Sequence, residues 1–165
     1  MKEIPLTQGK VALVDDEDYE RLNQFKWYAL KRPNTWYAVR NILVENKRTS
    51  ISMHREIMDA SKGHEIDHIN GDGLYNLKTN MRFCTCQQNQ FNQTLVRRDN
   101  KFGIKGVCWH KKAKKFQAAI RINGTKIYLG IYAVLADADH AYRAAEIKYF
   151  GEFARQETKR LYLVV

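Results

Sequence analysis

An Asp-His pair, Asp67-His68, ends a short apolar run, and the turn-rich loop Asn70-Gly71-Asp72-Gly73 comes directly after it. A second extended run covers residues 81–85, and a Gln- and Asn-rich stretch containing Asn89 follows. Two strands and a short helix folded over such a loop would bring Asp67 and Asn89 together. They would offer two hard oxygen donors of the kind Mg²⁺ and Mn²⁺ take, with positions left open for water and a phosphate oxygen. Side chains alternate along a strand, so His68 points away from Asp67 and is placed to take a proton from an attacking water. A single cation would stabilise the charge developing on a scissile phosphate and on the leaving 3′-oxygen. The chemistry open to these residues is therefore metal-assisted phosphodiester hydrolysis. Taken alone, an Asp-His dipeptide is a weak signal, and a structural or surface role is the ordinary one for any single histidine among five.

Other polar residues lie close to this segment. His54 and Arg55 could approach the scissile phosphate or could simply form a strand-to-helix junction. Arg82 on the second strand could clamp a phosphate bidentately or sit in an ion pair. Asn70, Asp72 and Asn76 are expected to shape the loop through Asx turns rather than bind metal. Asn92, three residues after Asn89, reads as a cap.

The elements that must position these groups are short. Residues 10–14, 26–29 and 36–41 read as strands, the last two joined through a turn with Pro33 and Asn34. The acidic run 15–18, followed by Tyr19, Leu22 and Phe25, reads as an amphipathic helix with carboxylates at its positive end, a favourable helix start rather than a metal site. Neither an internal repeat nor a low-complexity tract is present.

The 165 residues carry 28 Lys and Arg against 18 Asp and Glu, a formal net charge of +10, and the surplus is local. Residues 1–94 hold 13 basic and 12 acidic side chains, whereas residues 95–165 hold 15 and 6. Within 97–126, Arg97, Arg98, Lys101, Lys105, Lys111, Lys112, Lys114, Lys115, Arg121 and Lys126 face the one acid Asp99. A basic block interleaved with aromatics suits a polyphosphate, because each phosphate neutralised by Lys or Arg releases condensed counterions. The plainer reading is a solvated basic face. The apolar runs are too short for a membrane span or secretory signal. Cys84, Cys86 and Cys108 suit neither a disulfide framework nor a zinc knuckle, which points to a reducing cytoplasm.

Residues 95–105 are polar and read as a basic linker, with the boundary near residue 100. Beyond it, Phe116, Ala118 and Ile120 alternate with Gln117, Ala119 and Arg121, and Asn123-Gly124 supplies a type I′ hairpin signal. Val107 and Trp109 add a preceding strand. A helical period then runs through Leu135, Ala138, Tyr142, Ala145 and Tyr149, ended by Gly151 and begun without a Ser, Thr or Asp cap. A three-stranded antiparallel sheet closed on one face by a helix follows from this pattern. Its open face would present Cys108, His110, Gln117, Arg121, Lys126 and Tyr128, and such a ribbon can enter the DNA major groove.

Two family resemblances bear on this pattern. The segment GIKGVCWHKKAKKFQAAIRINGTKIYLGIY, followed by ADADHAYRAAEIKYFGEFA, resembles the Apetala-2/ethylene-response-factor DNA-binding domain over roughly residues 102–155. That resemblance implies DNA-facing positions at Lys105, Cys108, His110, Arg121, Lys126 and Tyr128. The chain departs from the family pattern at Cys108, His110, Ala119 and Tyr128, so base preference does not carry over. The segment EIDHINGDGLYNLKTNMRFCTCQQNQFNQ, with MHREIM ahead of it, closely resembles the HNH homing endonucleases of phages and introns, over at least residues 50–93. It implies His68 as general base, Asp67 and Asn89 as ligands of one Mg²⁺ or Mn²⁺, and Asn80 as the residue that holds the His-bearing loop through backbone hydrogen bonds. Asn in the third motif position favours Mg²⁺ or Mn²⁺ over zinc.

The sequence thus points to an α+β protein in two parts. The first, residues 1–94, would contain an HNH ββα-metal nuclease core over about 50–94. A basic linker (95–105) would lead to an Apetala-2-type domain (106–165) with a three-stranded antiparallel sheet packed on one helix. The expected function is an HNH endonuclease that hydrolyses duplex DNA, with Arg82, Arg97, Arg98, Lys101, Lys105, His110, Lys112, Lys114, Arg121, Lys126 and Tyr128 as DNA contacts. One site per chain favours nicking by a monomer, in a host cytoplasm if the protein is phage-borne. The alternative is a DNA-binding regulator whose nuclease fold no longer cuts. An RNA-binding module is disfavoured, since the open sheet lacks multiple exposed aromatics for stacking.

Overall fold

The computed structural model describes residues 1–92 and 100–155 and forms an α+β protein of several small, mostly antiparallel sheets and helices. The chain divides into two compact units, Met1–Asn89 and Gln90–Val165. Among the described residues no helix is long and apolar enough to cross a membrane.

In the first unit, β1 (Lys2–Pro5) pairs antiparallel with β2 (Val11–Val14). Helix α1 (Asp16–Leu22) follows, with Asp16, Glu17 and Asp18 in its first turn as the charge pattern predicts. Strands β3 (Tyr28–Lys31), β4 (Trp36–Val44) and β5 (Lys47–Ser52) form an antiparallel meander. The β4–β5 turn places both Glu45 and Asn46 at positive φ, the type I′ geometry that matches strand twist, although Glu-Asn carries no strong turn signal. Helix α2 (Met53–Ile57) leads to β6 (Glu65–His68), which pairs antiparallel with β8 (Met81–Cys84), and helix α3 (Cys86–Asn92) follows. Between β6 and β8 the short β7 (Tyr75–Asn76) leaves that pair and runs parallel to β2.

The core of this unit gathers Ile4, Ala12, Val14, Leu22, Trp27, Ala38, Met53, Ile57, Ile66 and Met81. Each is apolar and most come from one face of a short element, so no single element could hold the unit together. Trp27 is buried and its indole N–H donates to the Leu22 carbonyl at 2.9 Å, which satisfies its one polar atom. Gly73 is the point of closest backbone approach. A Cβ there would lie 2.5 Å from the Trp36 carbonyl oxygen and 2.6 Å from the Tyr37 ring, so only glycine lets the loop after β6 lie against β4.

In the second unit β9 (Val107–His110), β10 (Lys115–Ile122) and β11 (Thr125–Tyr132) form an antiparallel sheet in the order β11-β10-β9, and helix α4 (Leu135–Phe150) packs on it. Asn123 and Gly124 have φ of 49° and 77°, the type I′ turn expected from their sequence. The register shifts between Ala118, opposite Gly130, and Ala119, opposite Tyr128, a bulge at Leu129 of β11. Val107, Ala118, Ile120, Ala138, Tyr142, Ala145 and Phe150 make the core. Tyr149, expected to face inward, is exposed, and the helix turns Phe150 and Glu146 to the core instead. Helix α4 begins at Val134 with no side-chain cap. Residues 100–105, expected within the linker, include Ile104 and Phe102, and these pack beside the same core and on the Phe116 ring.

Candidate active site

The β6–β8 register fixes which groups share a face. Glu65 opposes Cys84 and Asp67 opposes Arg82, so these four side chains project to one side. Ile66 opposes Phe83 and His68 opposes Met81 on the other side. The expected divergence of Asp67 and His68 is therefore present.

On the first face Asp67 is buried, and its Oδ2 accepts from Arg82 Nε at 2.9 Å and Nη2 at 2.6 Å. Arg82 thus sits in the ion pair, the plainer of its two readings. Helix α3 begins in a reciprocal capping box. Thr85 N–H donates to Gln88 Oε1 at 2.8 Å, while Gln88 N–H donates to Thr85 Oγ1 at 3.2 Å. This start sets the rotation of the helix, and Asn89 Nδ2 then donates to Glu65 Oε2 at 2.8 Å. Asn89 is thereby brought to the Asp67 face of β6 through Glu65, a residue that sequence reasoning passed over. Cys84, directly across from Glu65, is a protonated thiol. Burial, with the Asp67 and Glu65 carboxylates, pushes its pKa up to about 11.

On the second face His68 is buried, and its Nε2 lies 3.1 Å from Asn76 Oδ1. The Asn76 amide is oriented by its own Nδ2, which donates to the Leu74 carbonyl at 3.2 Å and approaches Met53 Sδ at 3.8 Å. Its oxygen must then receive a proton from His68, so Nε2 carries the hydrogen and Nδ1 keeps the lone pair. Burial lowers the His68 pKa, opposed by the Asn76 hydrogen bond and by the Asp67 and Asp72 charges. At neutral pH the imidazole is accordingly uncharged and able to accept a proton.

The loop between the strands is held as expected at two of three positions. Asp72 N–H donates to Asn70 Oδ1 at 2.9 Å and Leu74 N–H to Asp72 Oδ1 at 3.0 Å, both Asx turns. Asn76 departs from that expectation, because β7 carries it under the loop, fully buried, as the partner of His68. Asn80 ties the loop closed. Its Oδ1 accepts from Asn70 N–H at 3.1 Å, and its Nδ2 donates to Asn70 Oδ1 at 3.0 Å and to the Tyr75 carbonyl at 2.8 Å.

Against His68 stand two rings contributed by other elements. The His54 ring packs edge-on at 5.2 Å between centroids and the Tyr37 ring lies at 5.9 Å. Burial, then the neighbouring His68 and Arg55, pushes the His54 pKa down to about 3. Its buried Nδ1 has no hydrogen-bond partner among the described residues. The Tyr37 hydroxyl is raised by burial and by Asp67. Arg55 lines the cleft beside β6, but its hydrogen bonds go to the backbone. Its guanidinium donates to the carbonyls of Ala60, Ser61 and His64 and closes the turn after α2. A cleft of about 550 Å³ runs beside β6, lined among others by Arg32, Tyr37, Ser52, His54, Glu65 and Asn89.

The oxygen donors present are of the chemical type that a hard divalent cation takes. The Asp67 carboxylate, the Asn89 carboxamide oxygen and the Glu65 carboxylate all belong to one side of the β6–α3 substructure, and oxygen donors with room for water suit Mg²⁺ or Mn²⁺. Among the described residues no three His, Cys, Asp or Glu side chains cluster as a ligand set. A cation here would accordingly rest on few protein ligands.

In the second unit the pairing of Cys108 with Gln117, His110 with Lys115, Tyr128 with Ala119 and Lys126 with Arg121 puts the expected side chains on one sheet face. Tyr128 is 57% exposed there, and Arg121 reaches the Gly124 carbonyl at 2.9 Å. His110 Nδ1 accepts from Ala113 N–H at 3.1 Å and so shapes the β9–β10 turn. Lys101, Lys112 and Lys114 are exposed, Lys114 at a φ of 48°. Lys105 departs from the expected DNA face. Its ammonium donates to the Gln90 and Phe91 carbonyls at 3.1 Å each, and burial brings its pKa down to about 8. Arg97 and Arg98 lie outside the described residues.

The class that fold and site define is thus an α+β protein with a polar cluster on a strand pair and the helix that follows it. No protein-family model matches the chain, and no solved structure does. It is similar to "Protein 3.8" of Escherichia phage T7, with 28% identity over 94 residues, 57% of this chain and 76% of that protein.

Proposed function

We propose that this protein is a metal-dependent DNA endonuclease of the HNH kind that hydrolyses phosphodiester bonds in duplex DNA. The observation that carries the reading is the state of His68. It is a buried, neutral imidazole whose Nε2 proton is committed to Asn76 and whose loop is tied by Asn80, on the side of β6 opposite Asp67. A base of this kind costs little reorganisation when a proton arrives at Nδ1. A water deprotonated there attacks phosphorus in line with the 3′-oxygen, the bond to that oxygen breaks, and a 5′-phosphate and a 3′-hydroxyl result. Asp67 and Asn89, with Glu65 beside them, would hold a Mg²⁺ or Mn²⁺ ion, which would supply charge stabilisation for the phosphate and the leaving oxygen. The exposed sheet face and the Lys111–Lys115 turn of the second unit would hold the duplex.

The test is supercoiled plasmid incubated with the full chain and Mg²⁺ or Mn²⁺. Nicked product that falls by about 10²–10⁴-fold in His68→Ala supports the reading. No cleavage of any DNA with either metal refutes it. A second reading, a DNA-binding regulator that does not cut, is favoured by one observation, the Arg82 guanidinium on the Asp67 carboxylate. Salt-sensitive duplex binding without cleavage would select it.

A further inference from the structure

Phe102, Trp109 and Phe116 line a pocket of about 780 Å³ in the second unit, at the β9 edge of the sheet. Trp109 pairs directly with Phe116 across β9 and β10, on the side opposite Cys108 and Gln117. The core takes in Val107 and Ala118 on that same side but leaves Trp109 43% exposed. Phe116 is the centre of the ring cluster. The Trp109 ring stands 4.9 Å from it at 71°, and the Phe102 ring 5.2 Å from it at 87°. A turn fixes Phe102, because Asn100 Oδ1 accepts from Phe102 N–H at 3.1 Å while Asn100 Nδ2 donates to the Ile104 carbonyl at 2.6 Å. The aromatic wall is thus formed before any ligand arrives, which lowers the cost of binding.

Two cations line the same pocket. Lys101 and Lys111 are both exposed, and neither makes an ion pair among the described residues. Aromatic faces stack on any planar ring, and the lysines call for an anion. A nucleotide carries both within a few bonds, and the pocket has the size of a small-molecule site. An uncharged apolar ligand would leave the lysines unused, and a bare polyanion would leave the rings unused. Bases in a duplex are already stacked on one another, so the nucleotide that enters must be unpaired.

We propose that this pocket binds an unpaired nucleotide of a single nucleic-acid strand, its base stacked on the Trp109 and Phe102 rings and its phosphate held by Lys101 and Lys111. The site differs from the polar sheet face that would meet a duplex, and it does not depend on the nuclease reading.

Binding of short labelled strands to the full chain tests it, followed by fluorescence anisotropy with a chelator present so that no metal-dependent cleavage intervenes. A thymidine oligonucleotide is compared with an abasic strand of the same length, which carries the same phosphates and no bases. The wild type should bind the thymidine strand about tenfold more tightly, the size expected from stacking one base. Trp109→Ala should erase that margin and leave abasic binding unchanged. Lys101→Gln with Lys111→Gln should weaken both strands alike and flatten their salt dependence. A uridine strand distinguishes the two sources of this chemistry, and a Trp109-dependent margin on either sugar supports the pocket. If Trp109→Ala fails to fold, the wild type alone decides, and equal affinity for thymidine and abasic strands overturns the proposal. A margin that survives Trp109→Ala but is lost in Tyr128→Ala also overturns it, since the base would then stack on the sheet face.

Discussion

Burial of His54 makes the stability of the first unit depend on pH in a way one substitution can isolate. The imidazole is brought from an ordinary 6.5 down to about 3, chiefly by burial and then by His68 and Arg55. A group whose folded pKa is depressed is neutral in the folded chain while the unfolded chain already binds its proton. Its contribution is fully present above pH 6.5 and is lost as pH falls toward 3. At about 1.4 kcal/mol per pH unit, the loss attributable to His54 is about 3 kcal/mol at pH 4.5 and about 5 kcal/mol near pH 3. His68, lowered by the same burial, adds a loss of the same sign. His54→Phe keeps a ring against His68 and Tyr37 but cannot titrate. Carboxylates protonating over the same range act on both proteins alike, so the difference between the two curves isolates His54. Native-state hydrogen exchange on β4 and α2 amides, corrected for intrinsic rates, reads the first unit without interference from the second. The wild type should lose about 3 kcal/mol more than His54→Phe between pH 7 and pH 4.5. Parallel curves for the two proteins would mean that His54 takes its proton near 6.5, and the account of a dry, neutral histidine pair would be wrong.

Asn76→Ala removes the acceptor that fixes the His68 tautomer and leaves a buried N–H unpaired, so it should cost about 1–3 kcal/mol of stability and slow plasmid nicking by at least about tenfold. Urea unfolding and initial nicking rates check the two effects. Gly106→Ala should destabilise the second unit by about 2–5 kcal/mol, since its φ is +74° and an added Cβ would lie 1.9 Å from the Tyr142 ring. Thermal unfolding followed at the exposed Trp109 would read it. Arg155→Ala removes the guanidinium whose Nη2 donates to the wholly buried Glu146 carboxylate at 2.9 Å, and should cost about 3–5 kcal/mol. Adding Glu146→Gln should recover part of that loss, and a double variant no more stable than the single one would show that the buried Glu146 charge is not the cause.

Much of the second unit was legible because its signals are local. Strand alternation from Phe116 to Arg121 and the Asn123-Gly124 turn act over neighbouring residues, and the observed register follows them. The Tyr149 expectation failed for a related reason. Near a helix end two adjacent aromatics both lie close to the apolar stripe, and a tertiary contact, the Phe91 ring stacked at 3.7 Å, goes with the burial of Phe150. In the first unit the divergence of Asp67 and His68 needed nothing beyond the pleat of one strand. The Thr85–Gln88 capping box was also readable, as a Ser/Thr-x-x-Glu/Gln signature. That box sets the rotation that sends Asn89 toward Glu65.

By itself the sequence determined the residue types, their alternation along strands and the concentration of positive charge in residues 97–126, since all of these depend only on order along the chain. Tertiary structure alone decided the partners. Asn76 reaches His68 because β7 leaves the β6–β8 pair to join β2, and His54 and Tyr37 arrive at the same histidine from α2 and β4. Arg82 closes on Asp67 rather than on solvent, and Lys105 turns to backbone carbonyls rather than outward. The physical reason is common to the Asn76, Arg82 and Lys105 contacts. A buried polar group must be satisfied by whatever the fold brings within about 3 Å, and that neighbour is set by long-range packing, which no local pattern encodes.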